Sequence, residues 1–139
     1  MKIISHRGNT VGVNKDQENY PALIDSLLQK NIDCEIDVWY VDDKFYLGHD
    51  FPQYEVNKRF ILKKGLWCHA KNLEALAKMK SMYNVHFFWH EDDDFTLTSK
   101  NIIWTYPDKK TTESSVIVDI SKDWRDKKYN CFGVCVDWI

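Results

Sequence analysis

The stretch NYPALIDSLLQKNIDCEIDVWY, residues 19–40, carries a helix pattern and a strand pattern back to back. In its first part Asn19 can cap, Pro21 fits the first turn, and Leu23, Ile24, Leu27 and Leu28 make one apolar face. That predicts a helix over about 19–30. In its second part Ile36 and Val38 alternate with Glu35 and Asp37, which predicts a strand over about 33–40. Upstream, Lys2–Ser5 reads as a first strand. Strand, helix and strand in this order are the signature of βα units and a parallel sheet.

The rest of the chain continues the pattern. Asp42-Asp43 reads as a turn, followed by a short return strand, Phe45–Gly48. Leu66–His69 is a third strand, and it leads to a helix beginning near Asn72 with Leu73, Leu76, Ala77 and Tyr83 along one side. Val85–His90 is a fourth. Three more apolar runs, Ile102–Tyr106, Val116–Ile120 and Phe132–Trp138, are separated by polar loops and at most one short helix near 122–128. No repeat, low-complexity stretch or linker divides the sequence, so residues 1–139 read as one domain.

Seven parallel-type strands and a hairpin arm must fit in 139 residues. A complete (β/α)8 barrel takes about 250 and rarely fewer than about 200. The second half has room for strands but not for full helices between them. The expected fold class is therefore α/β, a contracted or incomplete TIM-type barrel. An open doubly wound sheet is the alternative, but there is no Gly-rich phosphate loop to support it.

Composition narrows the function. With 19 Lys+Arg against 21 Asp+Glu the net charge is −2. No basic run exceeds a pair, so the electrostatic footprint of a nucleic-acid or anionic-membrane binder is missing. No apolar run approaches the ~20 residues of a membrane span, and the N-terminus has no signal-peptide core, so a cytosolic protein is expected. Cys34, Cys68, Cys131 and Cys135 form no CxxC and lie in apolar runs, as buried reduced thiols do.

His6, His49, His69 and His90 stand where apolar runs end, and in parallel α/β folds those strand ends form the functional face. Histidine is also the side chain suited to acid or base work near neutral pH. Glu35 and Asp37 leave the same face of one strand. Either that face lies in water, or a cation or Arg sits between the two carboxylates. Three carboxylates in the Asp92-Asp93-Asp94 run read as a solvated loop. His6-Arg7-Gly8 follows the first strand directly, offering a guanidinium fork for a phosphate and a glycine that lets backbone approach closely.

His6-Arg7-Gly8, Glu18-Asn19 opening a helix, Glu35-Ile36-Asp37-Val38 and Gly48-His49-Asp50 occur in the order and spacing of the glycerophosphodiester phosphodiesterase family, which the chain resembles. Cys68-His69-Ala70-Lys71 stands where that family usually ends its third strand with Glu-x-Lys, and Val134-Cys135-Val136-Asp137 looks like its closing strand. The sphingomyelinase D toxins share the barrel and the layout of a metal with two histidines. The resemblance implies metal-dependent cleavage of a small, glycan-derived or lipid-derived phosphodiester. It makes His6 and His49 the catalytic acid/base pair and Arg7 and Lys71 ligands of the phosphate. Glu35 and Asp37 would hold a divalent metal, Mg²⁺ or Ca²⁺ with Mn²⁺ possible, and His69 replaces the usual third carboxylate. His90 and Trp104 are further candidates for contact with substrate.

Two other readings use the same residues. One is a phospholipase D-like lyase that releases a cyclic phosphate. The other is a non-catalytic phosphate-binding or glycan-binding module on a decayed barrel, drawing on Trp89, Trp104 and Tyr106 near strand ends. An incomplete barrel leaves a sheet edge exposed, and a homodimer would close it.

Overall fold

The protein is described by a computed structural model covering residues 1–139. The strands are β1 (Lys2–His6), β2 (Asp33–Val41), β3 (Lys44–Leu47), β4 (Tyr54–Val56), β5 (Leu66–Ala70), β6 (Phe87–Phe88), β7 (Phe95–Leu97), β8 (Ile103–Thr105), β9 (Ser115–Asp119) and β10 (Gly133–Val136). The helices are α1 (Pro21–Gln29), α2 (Lys58–Ile61) and α3 (Leu73–Lys80), with a 3-10 turn at Trp124–Asp126. No helix is long and apolar enough to cross a membrane.

All strands belong to one mixed sheet that curls into an open partial barrel. β1 lies between β2 and β10, parallel to both; β5 and β6 extend the sheet beyond β2, and β9 and β8 extend it beyond β10, all in parallel register. β6 and β8 form no ladder with each other. The hairpin arm β3–β4 and the short β7 run antiparallel at the two ends of the longest path. Strands dominate and helices are few.

Strand β2 explains how the arm reaches the site. Val38 pairs with Ala70 of β5 and with Leu47 of β3, so β3 lies on the edge of β2 opposite to β5. That is the edge whose first half is taken by β1, through Ile4 to His6. The arm therefore begins where β1 ends. Its turn is Asp42-Asp43, both left-handed at φ 51° and 61°, the geometry of a primed hairpin turn.

The two-residue alternation of the strands sorts the core. Cys34, Ile36 and Val38 of β2 and Leu66, Cys68 and Ala70 of β5 point outward under α1, α2 and α3, joined by Ile24, Leu27, Phe60, Ala75 and Met79. Inside the curl a second cluster takes Ile4, Trp67, Phe88, Trp104, Val116 and Cys135, six side chains from six strands. Behind β9 and β10 no full helix fits, and Trp124 of the 3-10 turn covers Ile117, Val134 and Val136 instead.

Several local expectations need correction. Asn19 does not cap α1; Tyr20 holds the N-cap position without a side-chain bond, and Asn19 is used elsewhere. The buried face of α3 is Ala75 and Met79 with Leu76 beside them; Leu73 and Ala77 lie off that face and are exposed, and Tyr83 is exposed beyond the helix, which ends at Lys80. Asn72 does cap it, accepting from the Ala75 N–H at 3.0 Å and tying it to Tyr40 of β2. β4, α2 and β7 were not anticipated. All four cysteines are free thiols; Cys34, Cys68 and Cys135 are buried, and Cys131 sits half-buried before β10.

Burial also sets one pH response. His86, next to Trp67, is pushed down to about 4, first by burial and then by the positive charge of Lys100. The unfolded chain takes up this proton near pH 6.5, and the folded chain does not until about 4. Stability is therefore full above pH 6.5, falls as pH drops toward 4, and levels off below. After a discount for its residual exposure, the group accounts for about 2 kcal/mol. His86→Gln should remove that much of the decline in unfolding free energy between pH 7 and 4, measured by urea denaturation. An unchanged pH profile would show that His86 does not carry it.

Candidate active site

The site begins with a strained turn. After β1 the chain reverses through Arg7 at φ 56° and Gly8 at φ 89°. Gly8 has two reasons to be glycine: that φ, and Ile24 Cδ1 of α1 only 3.0 Å from where a Cβ would stand. The left-handed Arg7 is held from both sides. Its N–H donates to the Glu35 carbonyl at 3.0 Å, and its carbonyl accepts from Asn19 N–H at 2.8 Å.

Around that turn the C-terminal ends of the strands gather one cavity of about 390 Å³. His6 comes from the end of β1, Glu35 from β2, His49 from the arm, and His69 and Lys71 from the end of β5. Arg7, His90 and Trp104 line the same space. Of the nine residues expected to act on the metal or the substrate, only Asp37 does not line it directly, because it is fully buried behind them.

Glu35 and Asp37 do not face water. Both point into the curl of the sheet and are buried, so the cation-or-Arg alternative holds. Arg7 Nε lies 3.2 Å from Asp37 Oδ2, and Arg7 Nη1 lies 3.5 Å from Glu18 Oε2. Burial would push Asp37 up, but the adjoining His69 imidazole and the charges of Arg7 and Lys71 hold it well below the usual carboxylate range. Glu35 is pushed up, by burial first and then by Asp37. The two carboxylates therefore behave differently: Asp37 is the ionised member, and Glu35 is the one that resists ionisation.

Asn19 is the clamp that fixes Asp37. Its amide donates to Asp37 Oδ2 at 2.9 Å and accepts from the Asp37 N–H at 2.9 Å. Asn19 itself is left-handed at φ 60°, which asparagine tolerates. Asn19→Ala removes both bonds and leaves in that conformation a residue without asparagine's tolerance of it. It should cost about 2–4 kcal/mol in urea unfolding. Asn19→Gly should recover about 1 kcal/mol of this by relieving the backbone. A loss below about 0.5 kcal/mol for the alanine variant would show that the clamp is idle.

His6 is oriented by Asp137, which follows β10. The His6 Nδ1–H donates to Asp137 Oδ1 at 3.0 Å, leaving Nε2 on the side of Glu35, 4.0 Å from Oε2. Asn9 donates to the same Asp137 oxygen at 2.7 Å and to Glu18 at 3.1 Å. Burial would lower the His6 pKa, but the Asp137 hydrogen bond and the Glu35 charge outweigh it, so the imidazole is raised. His49 is more exposed, and its Nδ1–H donates to Asp50 Oδ1 at 2.7 Å. Gly48 precedes it because the Phe51 carbonyl lies 2.1 Å from where a Cβ would be.

His69 stacks on Phe88 at 5.1 Å and donates from Nε2 to the His90 carbonyl at 2.7 Å. Its Nδ1 then faces Asp37 Oδ1 at 3.3 Å and Glu35 Oε1 at 3.7 Å. One donor atom from each of Glu35, Asp37 and His69 lies within 4.8 Å of the others. Oxygens on opposite sides of a Ca²⁺ ion stand about 4.6–5.2 Å apart, so this spread suits one hard cation. Glu35 Oε2 and Asp37 Oδ1 are buried without a hydrogen-bond partner, which is a second sign that the residues present fit a metal.

The remaining candidates take simpler places. His90 donates to the Asp93 carbonyl at 2.6 Å and lies 5.7 Å from the ring of Tyr106. Trp104 is buried and stacked on Phe88 at 4.6 Å, a core side chain that reaches the cavity wall. Trp89 packs against the outer core and does not line the cavity. Asp92 touches the rim, Asp94 pairs with Lys109 at 3.1 Å, and the acidic run is a solvated loop. The sequence reading assigned no role to Asn9, Glu18, Asn19 or Asp137 in the site. The one usable signal was Asp137 at the end of a last strand that pairs with the first. No family model, curated protein or solved structure matches the chain, so the reading of this site rests on its own residues.

Proposed function

We propose that this chain is a metal-dependent phosphodiesterase of the glycerophosphodiester phosphodiesterase kind, built on a contracted TIM-type barrel. The observation that carries the proposal is one cavity lined by His6, His49, Arg7, Lys71, Glu35 and His69, with Asp37 buried directly behind the last two. Those residues come from four separate stretches of sequence. A bare phosphate-binding module has no use for two histidines each oriented by a carboxylate.

The chemistry follows from the chain's own groups. A phosphodiester needs its charge neutralised, its attacking oxygen deprotonated and its leaving oxygen protonated. Arg7 and Lys71 supply positive charge at the cavity wall. His49, with Nδ1–H committed to Asp50, presents Nε2 to accept the proton of an attacking water. His6, with its pKa raised, gives a proton to the departing alkoxide, so phosphomonoester and alcohol leave and the two protons balance. Glu35, Asp37 and His69 would hold the divalent ion, which when bound supplies Lewis-acid stabilisation of the phosphoryl charge.

The test is turnover of bis(p-nitrophenyl) phosphate and of glycerophosphodiesters with Mg²⁺, Ca²⁺ or Mn²⁺, and its loss in EDTA. Phosphorus NMR of the product separates linear phosphomonoester, the expected result, from a cyclic phosphate. No turnover with any diester and ion would overturn the proposal.

A further inference from the structure

A second cavity, about 530 Å³, opens at the opposite end of the sheet from the catalytic one. It is built from the N-terminal ends of parallel strands: Lys2 opens β1, Asp33 opens β2, and His86 and Phe132 directly precede β6 and β10. The proposed reaction uses none of these residues.

The charge on this wall is uneven. Lys2, Lys63, Lys64 and Lys100 line it against one carboxylate, Asp33. That carboxylate is occupied: its Oδ2 accepts from Trp67 Nε1 at 2.9 Å and pairs with Lys2 Nζ at 2.8 Å. Lys63 pairs with Asp25 outside the cavity. Lys64 and Lys100 enter no ion pair within the chain, and they reach the cavity from two separate turns. The wall between them is aromatic. Trp67 lies 4.1 Å from the His86 ring and 6.4 Å from Phe132, measured between centroids. His86 bonds to Thr98 Oγ1 at 2.8 Å, and burial with the Lys100 charge keeps it neutral at physiological pH.

We propose that this cavity is a second binding site, for a small phosphate monoester carried on a flat aromatic body. The phosphate sits between Lys64 and Lys100, and the flat body lies against Trp67, His86 and Phe132. Three features support this occupant. The volume falls within the ~300–1,000 Å³ of small-molecule sites. Unpaired ammonium groups on a concave, low-dielectric wall concentrate anions, and lysine serves phosphate as a point charge. Aromatic walls take planar rings by stacking. A polynucleotide is a poorer fit, since the positive charge is confined to one concavity and forms no stripe on a chain of net charge −2.

The proposal is independent of the reaction at the other end, and AMP, a monoester, is the probe. Calorimetric titration of AMP, adenosine and inorganic phosphate into the full chain should give saturable AMP binding that is at least ~10-fold tighter than either fragment. The exposed pair Lys64→Gln/Lys100→Gln should weaken AMP at least ~10-fold, whereas Lys64→Arg/Lys100→Arg should stay within about 3-fold. Added salt should weaken AMP in wild type. The His86 ring signals in proton NMR should shift on AMP addition, and Lys71→Gln at the other cavity should leave the affinity unchanged. Absence of saturation by about 10 mM AMP, or wild-type affinity in the double glutamine variant, would overturn the site. So would loss of binding in Lys71→Gln. Equal affinity for phosphate and AMP would overturn the aromatic half of the assignment.

Discussion

Replacing His6 or His49 with Ala should lower turnover of a phosphodiester by at least ~10²-fold, the usual scale for removing a positioned acid or base. The two variants should fail differently. His49 is only partly buried and its side chain bonds only to its neighbour Asp50, so His49→Ala should fold normally and lose activity alone. His6 sits between Asp137 and Glu35, and His6→Ala leaves both buried carboxylates short of a positive partner. Some stability should go with the activity, so metal binding and circular dichroism must be read beside the rate. A cleaner test of the acid role is pH. An acid works only while protonated, so activity should fall as pH rises through the His6 pKa, which lies above its ordinary 6.5. Asp137→Asn removes the charge and weakens the hydrogen bond that raise it, and the alkaline limb should move to lower pH. If that limb stays put, Asp137 does not tune His6. If both alanine variants keep near-normal rates while wild type is active, the acid–base pair lies elsewhere.

What the sequence made readable is what repeats or what ends a run. The strands of the parallel sheet show as apolar stretches, because each is buried on both faces or nearly so. The histidines show because a polar residue closing an apolar run marks the strand's functional end. Asp37 and Glu35 were visible as a pair but not as buried; that depends on which side of β2 faces the curl, and α1, α2 and α3 settle it by covering Ile36 and Val38. Asn19 was misread because its composition suits a cap, while its use is a contact with a residue eighteen positions away. Asp137 showed only as the end of a closing strand, and its bond to His6, 131 residues distant, did not show. β4 and β7 are three residues each, too short for periodicity to register. The cavity at the N-terminal strand ends has no motif at all, because its lysines come from unrelated turns.

His69 should set which metal the site prefers. Its Nε2–H is committed to the His90 carbonyl and its ring is pinned on Phe88, so Nδ1 can present a lone pair toward Glu35 and Asp37 without rotating. Two carboxylates and one imidazole carry one negative charge fewer than three carboxylates. Mg²⁺ and Ca²⁺ depend on charged oxygen ligands and should bind weakly. Imidazole suits Mn²⁺ and later transition ions better, so wild type should bind Mn²⁺ at least ~10-fold more tightly than Mg²⁺ in calorimetry. A proton and a metal compete for the same Nδ1, and affinity should fall as pH is lowered. His69→Glu restores a third carboxylate; it should gain Mg²⁺ affinity and lose the Mn²⁺ advantage. His69→Gln offers no imidazole and should weaken Mn²⁺ by at least ~10-fold, the scale of losing one ligand. These are binding measurements, so they stand whether or not the right diester has been found. Mn²⁺ and Mg²⁺ affinities left unchanged in both variants would place His69 outside the metal's ligands. The ring would then serve only as part of the cavity wall beside Asp37.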